Sequence, residues 1–284
     1  MDIKLTDMEY ANTNNTVFFS IAEYADPDYV TEPIRLTADY FGIPLEFAYY
    51  GIGNYKCNSE TKFNKIIPYL KKQQERGKEY CLFCDARDVV FVDTPESILQ
   101  RYNSMKVCGV LFNANSFCGT WPCEVIHYTN TIVQIYGGRG VVNSGVYIGK
   151  IRDVLTLIQD SIRIIACVRN DTFNSSLLSA FTPEIITNFK ENKETYTNSD
   201  QFAIQTLQYL SHPLIKVDKE KEIFAVFGEK YPFVHERHPR RCYAVDWSVL
   251  GDDCYIGNAC ILHSPWLSKN RTAWITWIKE EVLK

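Results

Sequence analysis

The chain lacks the features that mark several broad classes of protein. It has no run of about 18 consecutive apolar residues, which a membrane-spanning helix requires. Its formal net charge is -4, so it has no excess of the basic residues that bind nucleic acid. Its first residues do not show the basic stretch followed by an apolar run that directs secretion. We therefore expect a cytoplasmic protein with no membrane span and no nucleic-acid partner.

Cysteine is plentiful, with ten residues, but the paired spacings that bind structural zinc are absent. Cys81 and Cys84 form a C-x-x-C that falls within an apolar, strand-like run. A redox pair would instead lie in a tight turn at a helix N-terminus. Because thiols stay reduced in a cytosol, we expect buried structural thiols.

The order of apolar and helical segments predicts an α/β fold. In the first half of the chain, short apolar segments typical of strands alternate with amphipathic segments typical of helices. This alternation predicts a mostly parallel sheet with helices on both faces. The strand-like segments are 16–21, 45–50, 80–84, 89–92 and 107–112, and the helical ones are 30–41, 61–77 (with Pro68 as a kink or a start) and a helix that Thr94 and Pro95 begin.

The second half is less regular but continues the same pattern. Residues 270–284 place Trp274, Trp277 and Ile278 at helical spacing, which predicts a terminal helix docked by its aromatic face. With 284 residues and no internal repeat, we expect a single domain over 1–284. The remaining predictions are strands at 141–149, 215–217, 223–226 and 260–263, helices at 151–168 and 199–210, and a loop or partly helical segment at 170–198.

Two acids three residues apart interrupt the apolar runs at the end of the segment 80–84. Asp85 and Asp88 would lie at the carboxyl edge of the sheet, where α/β proteins bind ligands, and carboxylates are preferred ligands of hard dications. Alone, the pair is better read as a charged turn, with Arg87 as its internal partner. His263, at the end of the last short strand, is either a metal ligand or a residue at the sheet edge.

Polar residues interrupt two further segments. Asn143, Ser144 and Gly145 lie within an apolar strand, where glycine marks either the close approach of a ligand or a bulge. Asp200 and Gln201 follow Ser199 at a predicted helix start, so they either cap the helix or bind the hydroxyl groups of a sugar.

Taken in order, these features resemble the glycosyltransferase domain of the procollagen lysyl hydroxylases and the related collagen hydroxylysine glycosyltransferases. The resemblance extends from about 16 to 270, and its order and spacing are more specific than any single motif. The similar segments are 83–91 (an apolar-Asp-x-x-Asp-Val-apolar motif), 110–118 with Trp121 and Pro122, 142–145 (Val-Asn-Ser-Gly, similar to the family's Leu-Asn-Ser-Gly), 199–202, Asp218 with Ile223 and Phe224, and His263 with Lys269.

The resemblance implies a GT-A fold, a Rossmann-like α/β/α sandwich that binds a UDP-sugar through Mn²⁺ or another divalent cation. It implies that Asp85, Asp88 and His263 are the metal ligands. The other implied roles are a diphosphate contact for Lys269, a second phosphate contact for Lys65, uracil stacking for Tyr55, sugar and acceptor binding for Asn143, Ser144, Asp200 and Gln201, and an acceptor-side position for Trp121. Asp200 would orient or deprotonate the acceptor hydroxyl.

We therefore expect transfer of a hexose, galactose or glucose, to the hydroxyl of a saccharide or a hydroxylated peptide, with hydroxylysine-linked acceptors included. The family's closing His-Gly-Asn-Gly is His263-Ser-Pro-Trp266 here, which leaves open a catalytically inactive GT-A-like binding module. A nucleotidylyltransferase is a further alternative. With no secretion signal, we expect a cytosolic or virus-encoded enzyme that acts in a host cytosol.

Overall fold

The computed structural model describes residues 10–53, 59–115, 140–173, 181, 183–226, 258–264 and 271–284. Its strands are β1 (Thr16–Tyr24), β2 (Leu45–Ile52), β3 (Tyr80–Cys84), β4 (Val89–Phe91), β5 (Val110–Asn115), β6 (Val141–Lys150), β7 (Ile215–Asp218), β8 (Phe224–Val226) and β9 (Ile261–His263). Its helices are α1 (Pro27–Phe41), α2 (Ser59–Glu75), α3 (Pro95–Ser104), α4 (Ile151–Arg169), α5 (Pro183–Glu191), α6 (Lys193–Thr197), α7 (Asp200–Tyr209) and α8 (Arg271–Trp277), which continues as a π-helical turn over Ile278–Val282.

The main sheet has six strands in the order β2-β1-β3-β6-β5-β7. Among these strands only β6 runs antiparallel, and it lies between β3 and β5. The predicted α/β class with a mostly parallel sheet is confirmed, and the arrangement is that of a GT-A-like, Rossmann-type fold.

Two apolar cores lie on opposite faces of this sheet, because successive strand residues point to opposite sides. On one face, Phe19 and Phe83 pack with residues of α2, α4 and α7. On the other face, Phe18 and Leu82 pack with residues of α1 and α3. Helices therefore cover both faces, as the alternating pattern predicts.

A small second sheet, in the order β4-β9-β8, lies beside the main one. In it β9 pairs antiparallel with β4 and parallel with β8. Val90 and Leu262 of this sheet pack against Trp274, Trp277 and Ile278 from the C-terminal helix and turn. The aromatic face at the end of the chain is thus buried on the small sheet.

Some boundaries differ from the predictions. The fifth strand begins at Val110 rather than at residue 107, since Gly109 has a φ of 120°, a conformation that favours glycine. Pro68 neither starts nor ends a helix but lies within α2. The polar segment 170–198 contains α5 and α6. None of the described helices is both long and apolar enough to cross a membrane.

Candidate active site

The turn between β3 and β4 carries Asp85 and Asp88 from the main sheet to the small one. At its start, the Asp85 N–H donates to the carbonyl of Gly145 at 2.7 Å. At its end, the Ser264 N–H donates to the carbonyl of Asp88 at 2.8 Å. The sequence shows two apolar runs flanking this turn, and the structure assigns the two runs to different sheets. Both sheets therefore fix the positions of the acids.

The structure brings Asp85, Asp88 and His263 together, with one ligand atom from each lying within 4.8 Å of the others. Asp88 and His263 are buried, whereas the side chain of Asp85 is 33% exposed. Asp88 Oδ1 and His263 Nε2 are 3.4 Å apart, yet neither has a hydrogen-bond partner within the described part of the chain. Buried polar atoms rarely go without a partner. A dication would satisfy both, and two carboxylates with one imidazole suit a hard ion such as Mn²⁺.

Gly145 leaves the space that this cluster needs. A Cβ added at this position would lie 2.2 Å from His263 Cε1 and 2.8 Å from Asp85 Oδ2. The same stretch of β6 is also bulged: Phe112 of β5 pairs with Tyr147 of β6, but the next residue, Asn113, pairs with Asn143. The bulge is therefore confirmed, the space beside the glycine is taken by side chains of the cluster, and close approach of a ligand stays a prediction.

Lys62 of α2 is a central residue that the motifs did not indicate. It is 4% exposed, and its Nζ lies 2.7 Å from Asp200 Oδ2 and 3.2 Å from Asp85 Oδ1. Its position on the helix is the signal that could have revealed it. Lys62 is four residues before the buried Ile66 and eight before the buried Leu70, so a lysine occupies the apolar face of α2. A cation so placed needs buried acids as partners.

The two acids of the turn experience different electrostatic environments. Desolvation by the surrounding protein raises the pKa of Asp85, although part of its side chain contacts solvent, and the ammonium of Lys62 opposes this effect. Burial also acts to raise the pKa of Asp88, but the facing His263 ring and the guanidinium of Arg87 outweigh it, so this pKa lies below its ordinary value. Arg87 Nη2 is 3.5 Å from Asp88 Oδ2, so the predicted ion pair within the turn also exists.

Asp200 and Gln201 point into the site, while their neighbour caps the helix. The Ser199 hydroxyl accepts a hydrogen bond from the Phe202 N–H at 3.2 Å, so capping does not need Asp200. Gln201 Oε1 accepts from the N–H of Ser144 at 3.2 Å and from its hydroxyl at 3.3 Å. Gln201 Nε2 is buried and has no partner among the described residues, so it is a donor available to a ligand.

Asn143 and Asp218 both stabilise the backbone near the site. Asn143 Oδ1 accepts from the Gly145 N–H at 2.8 Å and so stabilises the bulge. The fully buried carboxylate of Asp218 accepts from the N–H groups of Glu222, Ile223 and Phe224 at 2.8–2.9 Å. Asp218 therefore holds β8 beside the end of β7.

Lys65 lies apart from the acid cluster. Its ammonium pairs with Glu23 at the end of β1 and lies 3.6 Å from the centroid of the Tyr49 ring. The predicted residues Tyr55, Trp121 and Lys269 lie outside the described residues.

A family model described as the PLOD GT domain matches residues 49–164. This segment of the chain is similar to a PLOD glycosyltransferase domain. The predicted resemblance is thereby confirmed, and the match supports a glycosyltransferase. The PLOD match includes Lys62, Asp85, Asp88 and the bulge of β6, and it ends before Asp200 and His263. No curated protein matches the chain.

Proposed function

We propose that this chain is a hexosyltransferase that transfers galactose or glucose from a UDP-sugar to an acceptor hydroxyl with the help of Mn²⁺ or another dication. One observation carries the proposal: Asp85, Asp88 and His263 converge in a chain of which a segment matches the PLOD GT domain. Asp88 Oδ1 and His263 Nε2 are buried there without a hydrogen-bond partner among the described residues. The proposal treats 1–284 as one domain, because β9, beyond the matched segment, supplies His263 and pairs with β4. A cytoplasmic location stays a prediction from the sequence.

Asp85, Asp88 and His263 would hold the dication. When bound, the dication supplies Lewis-acid stabilisation of the negative charge that develops on the UDP leaving group. Lys62 adds a second positive charge beside these ligands, held in place by two carboxylates. Charges fixed in advance stabilise a developing anion without the cost of reorganising solvent. Lys65 and Lys269 are proposed as further phosphate contacts, and Tyr55 as the uracil-stacking residue.

The bulge of β6 and the start of α7 would form the sugar and acceptor side of the site. Gln201 Nε2 has no partner in the described part of the chain and would donate to a sugar hydroxyl, while its Oε1 accepts from Ser144. Asp200 would orient or deprotonate the acceptor hydroxyl, with its carboxylate held by Lys62. Asn143 would fix the backbone on this side of the site by accepting from the Gly145 N–H, and Trp121 is proposed on the acceptor side. The acceptor is a saccharide or a hydroxylated peptide, with hydroxylysine-linked chains included.

The test is UDP release from a panel of UDP-hexoses, with Mn²⁺ and with EDTA. We expect Mn²⁺-dependent release of UDP from UDP-galactose or UDP-glucose, and its loss in Asp88→Asn. Asp93→Asn is the matched control, since Asp93 is also buried but accepts hydrogen bonds from the Thr94 N–H and from the Ser97 hydroxyl at the start of α3. UDP binding without turnover would indicate the inactive binding module. Release of pyrophosphate from nucleoside triphosphates would indicate nucleotidyl transfer.

A further inference from the structure

Asn113 is a buried polar residue whose role the family resemblance does not assign. It lies on β5 at the point where pairing with β6 shifts, and its side chain is fully buried. The bulge leaves Ser144, Gly145 and Val146 without partners in β5. The Asn113 side chain reaches from the main sheet to His263 of the small sheet, and its Nδ2 lies 3.1 Å from His263 Nδ1.

This contact determines which nitrogen of a neutral His263 ring carries the hydrogen. An amide Nδ2 can only donate, so Nδ1 must accept and the ring hydrogen resides on Nε2. Nε2 is the nitrogen that faces Asp88 Oδ1. A metal bound at Nε2 needs the lone pair there, which places the ring hydrogen on Nδ1 and requires an acceptor opposite it.

Asn113 can supply that acceptor without moving its backbone. Its Oδ1 is buried and has no hydrogen-bond partner in the described part of the chain. A half-turn of the carboxamide exchanges Oδ1 and Nδ2, because the two ends of the group have nearly the same shape. Oδ1 would then accept from Nδ1–H while the lone pair of Nε2 faces the two acids.

We propose that Asn113 is a positioning residue that sets the tautomer of His263, and that its amide turns over when a dication binds. The inference rests on the proposed metal site, and it concerns how the chain prepares the imidazole. It predicts that Asn113, whose side chain bonds to His263 and to neither acid among the described residues, determines a large part of the affinity for the metal. Loss of such a partner of a ligating histidine typically weakens metal binding by about 10–100-fold.

The first test measures the affinity for Mn²⁺ alone, from the EPR signal of the free ion, on the full chain. Asn113→Ala should bind Mn²⁺ at least about 10-fold more weakly than the wild type. Asn113→Asp should recover most of the affinity, since a carboxylate also accepts from Nδ1–H. Asn103→Ala is the control, because the Asn103 amide makes two part-buried hydrogen bonds to the backbone of Ala11 instead of contacting the site. It should bind Mn²⁺ as the wild type does.

A second test needs no variant to fold. The chain has five histidines, so ¹⁵N labelling of histidine gives a simple spectrum of the ring nitrogens. In the metal-free wild type, neutral His263 should show a single tautomer with hydrogen on Nε2. A wild-type His263 ring that exchanges between both tautomers would overturn the proposal.

The outcomes separate the two proposals. If the wild type and His263→Gln bind Mn²⁺ equally, the metal site itself is wrong, and the proposed function loses its main support. If His263→Gln abolishes binding while Asn113→Ala binds like the wild type, the metal site stands and the role of Asn113 is refuted.

Discussion

Replacing Lys62 with methionine tests the electrostatic account of the site most directly. The substitution keeps the length and apolar stem of the side chain and removes its ammonium. Asp200 and Asp85 then lose the cation at 2.7 and 3.2 Å and face each other, with Asp88 nearby. Because the ammonium also lies 4.5 Å from the centroid of the buried Phe83 ring, little water can reach the vacated position.

The expected loss of stability depends on how exposed Lys62 and its two acidic partners are. Breaking a buried ion pair by removing one member costs about 3–5 kcal/mol. The side chains of Lys62 and Asp200 are 5% and 12% exposed, so this pair qualifies as buried. That of Asp85 is 33% exposed, and solvent screens its contribution. We therefore expect the free energy of unfolding to fall by about 3 kcal/mol, which corresponds to a decrease in Tm of roughly 6–12 °C.

The assay is thermal unfolding followed by circular dichroism, in EDTA and in excess Mn²⁺. The loss should be largest in EDTA, because a dication at Asp85 and Asp88 would replace part of the missing charge. Lys65→Met is the matched control: it lies one turn further along α2, and its partner Glu23 is 20% exposed. It should cost about 1 kcal/mol or less. Equal losses in the two variants, or a Lys62→Met loss that Mn²⁺ leaves unchanged, would refute the reasoning.

Three further predictions concern other parts of the structure. Gly145→Ala should weaken Mn²⁺ binding by about 10-fold or more, because the added Cβ would displace the His263 ring. Gly149→Ala in the same strand should affect only stability, and equal Mn²⁺ affinities of the two variants in calorimetric titration would contradict this. Asp218→Asn should lower the free energy of unfolding in urea by about 1–3 kcal/mol, since an amide cannot accept from all three backbone N–H groups. A loss no larger than at an exposed acid would exclude a stabilising role for these three hydrogen bonds. In the native protein a thiol reagent should modify the exposed Cys108 well before the two thiols of β3, whose pKa values burial raises. Peptide mapping checks the order, and simultaneous labelling would show that β3 is not packed as described.

The sequence indicated the main sheet because its signals are local. The apolar run that becomes β3 is bounded by polar residues, and its limits, Tyr80–Cys84, agree with the prediction. The assignment of β4 to a second sheet was not accessible in this way. β4 pairs with β9, which lies far along the chain, and neither segment carries a local mark of the other.

The candidate site likewise combines residues that local sequence signals indicate with residues that only the folded structure brings together. Asp85, Asp88 and His263 stood out because charged or ionisable groups end apolar runs. Lys62 belongs to no motif, and its signal is the periodicity of α2, where a lysine shares a face with Ile66. No pattern in the sequence distinguishes Asn113 from an ordinary polar residue in a strand, since its contact with His263 arises only when the two sheets meet.

The small sheet also determines when the site can exist during synthesis. It unites β4 from the first half of the chain with β8 and β9 from the second, so its last strand emerges from the ribosome long after the two acids. A nascent chain that has already formed the main sheet still lacks the His263 imidazole of the site. The cluster of Asp85, Asp88 and His263 therefore forms only in molecules whose synthesis has passed β9, and chains terminated before β9 cannot assemble it.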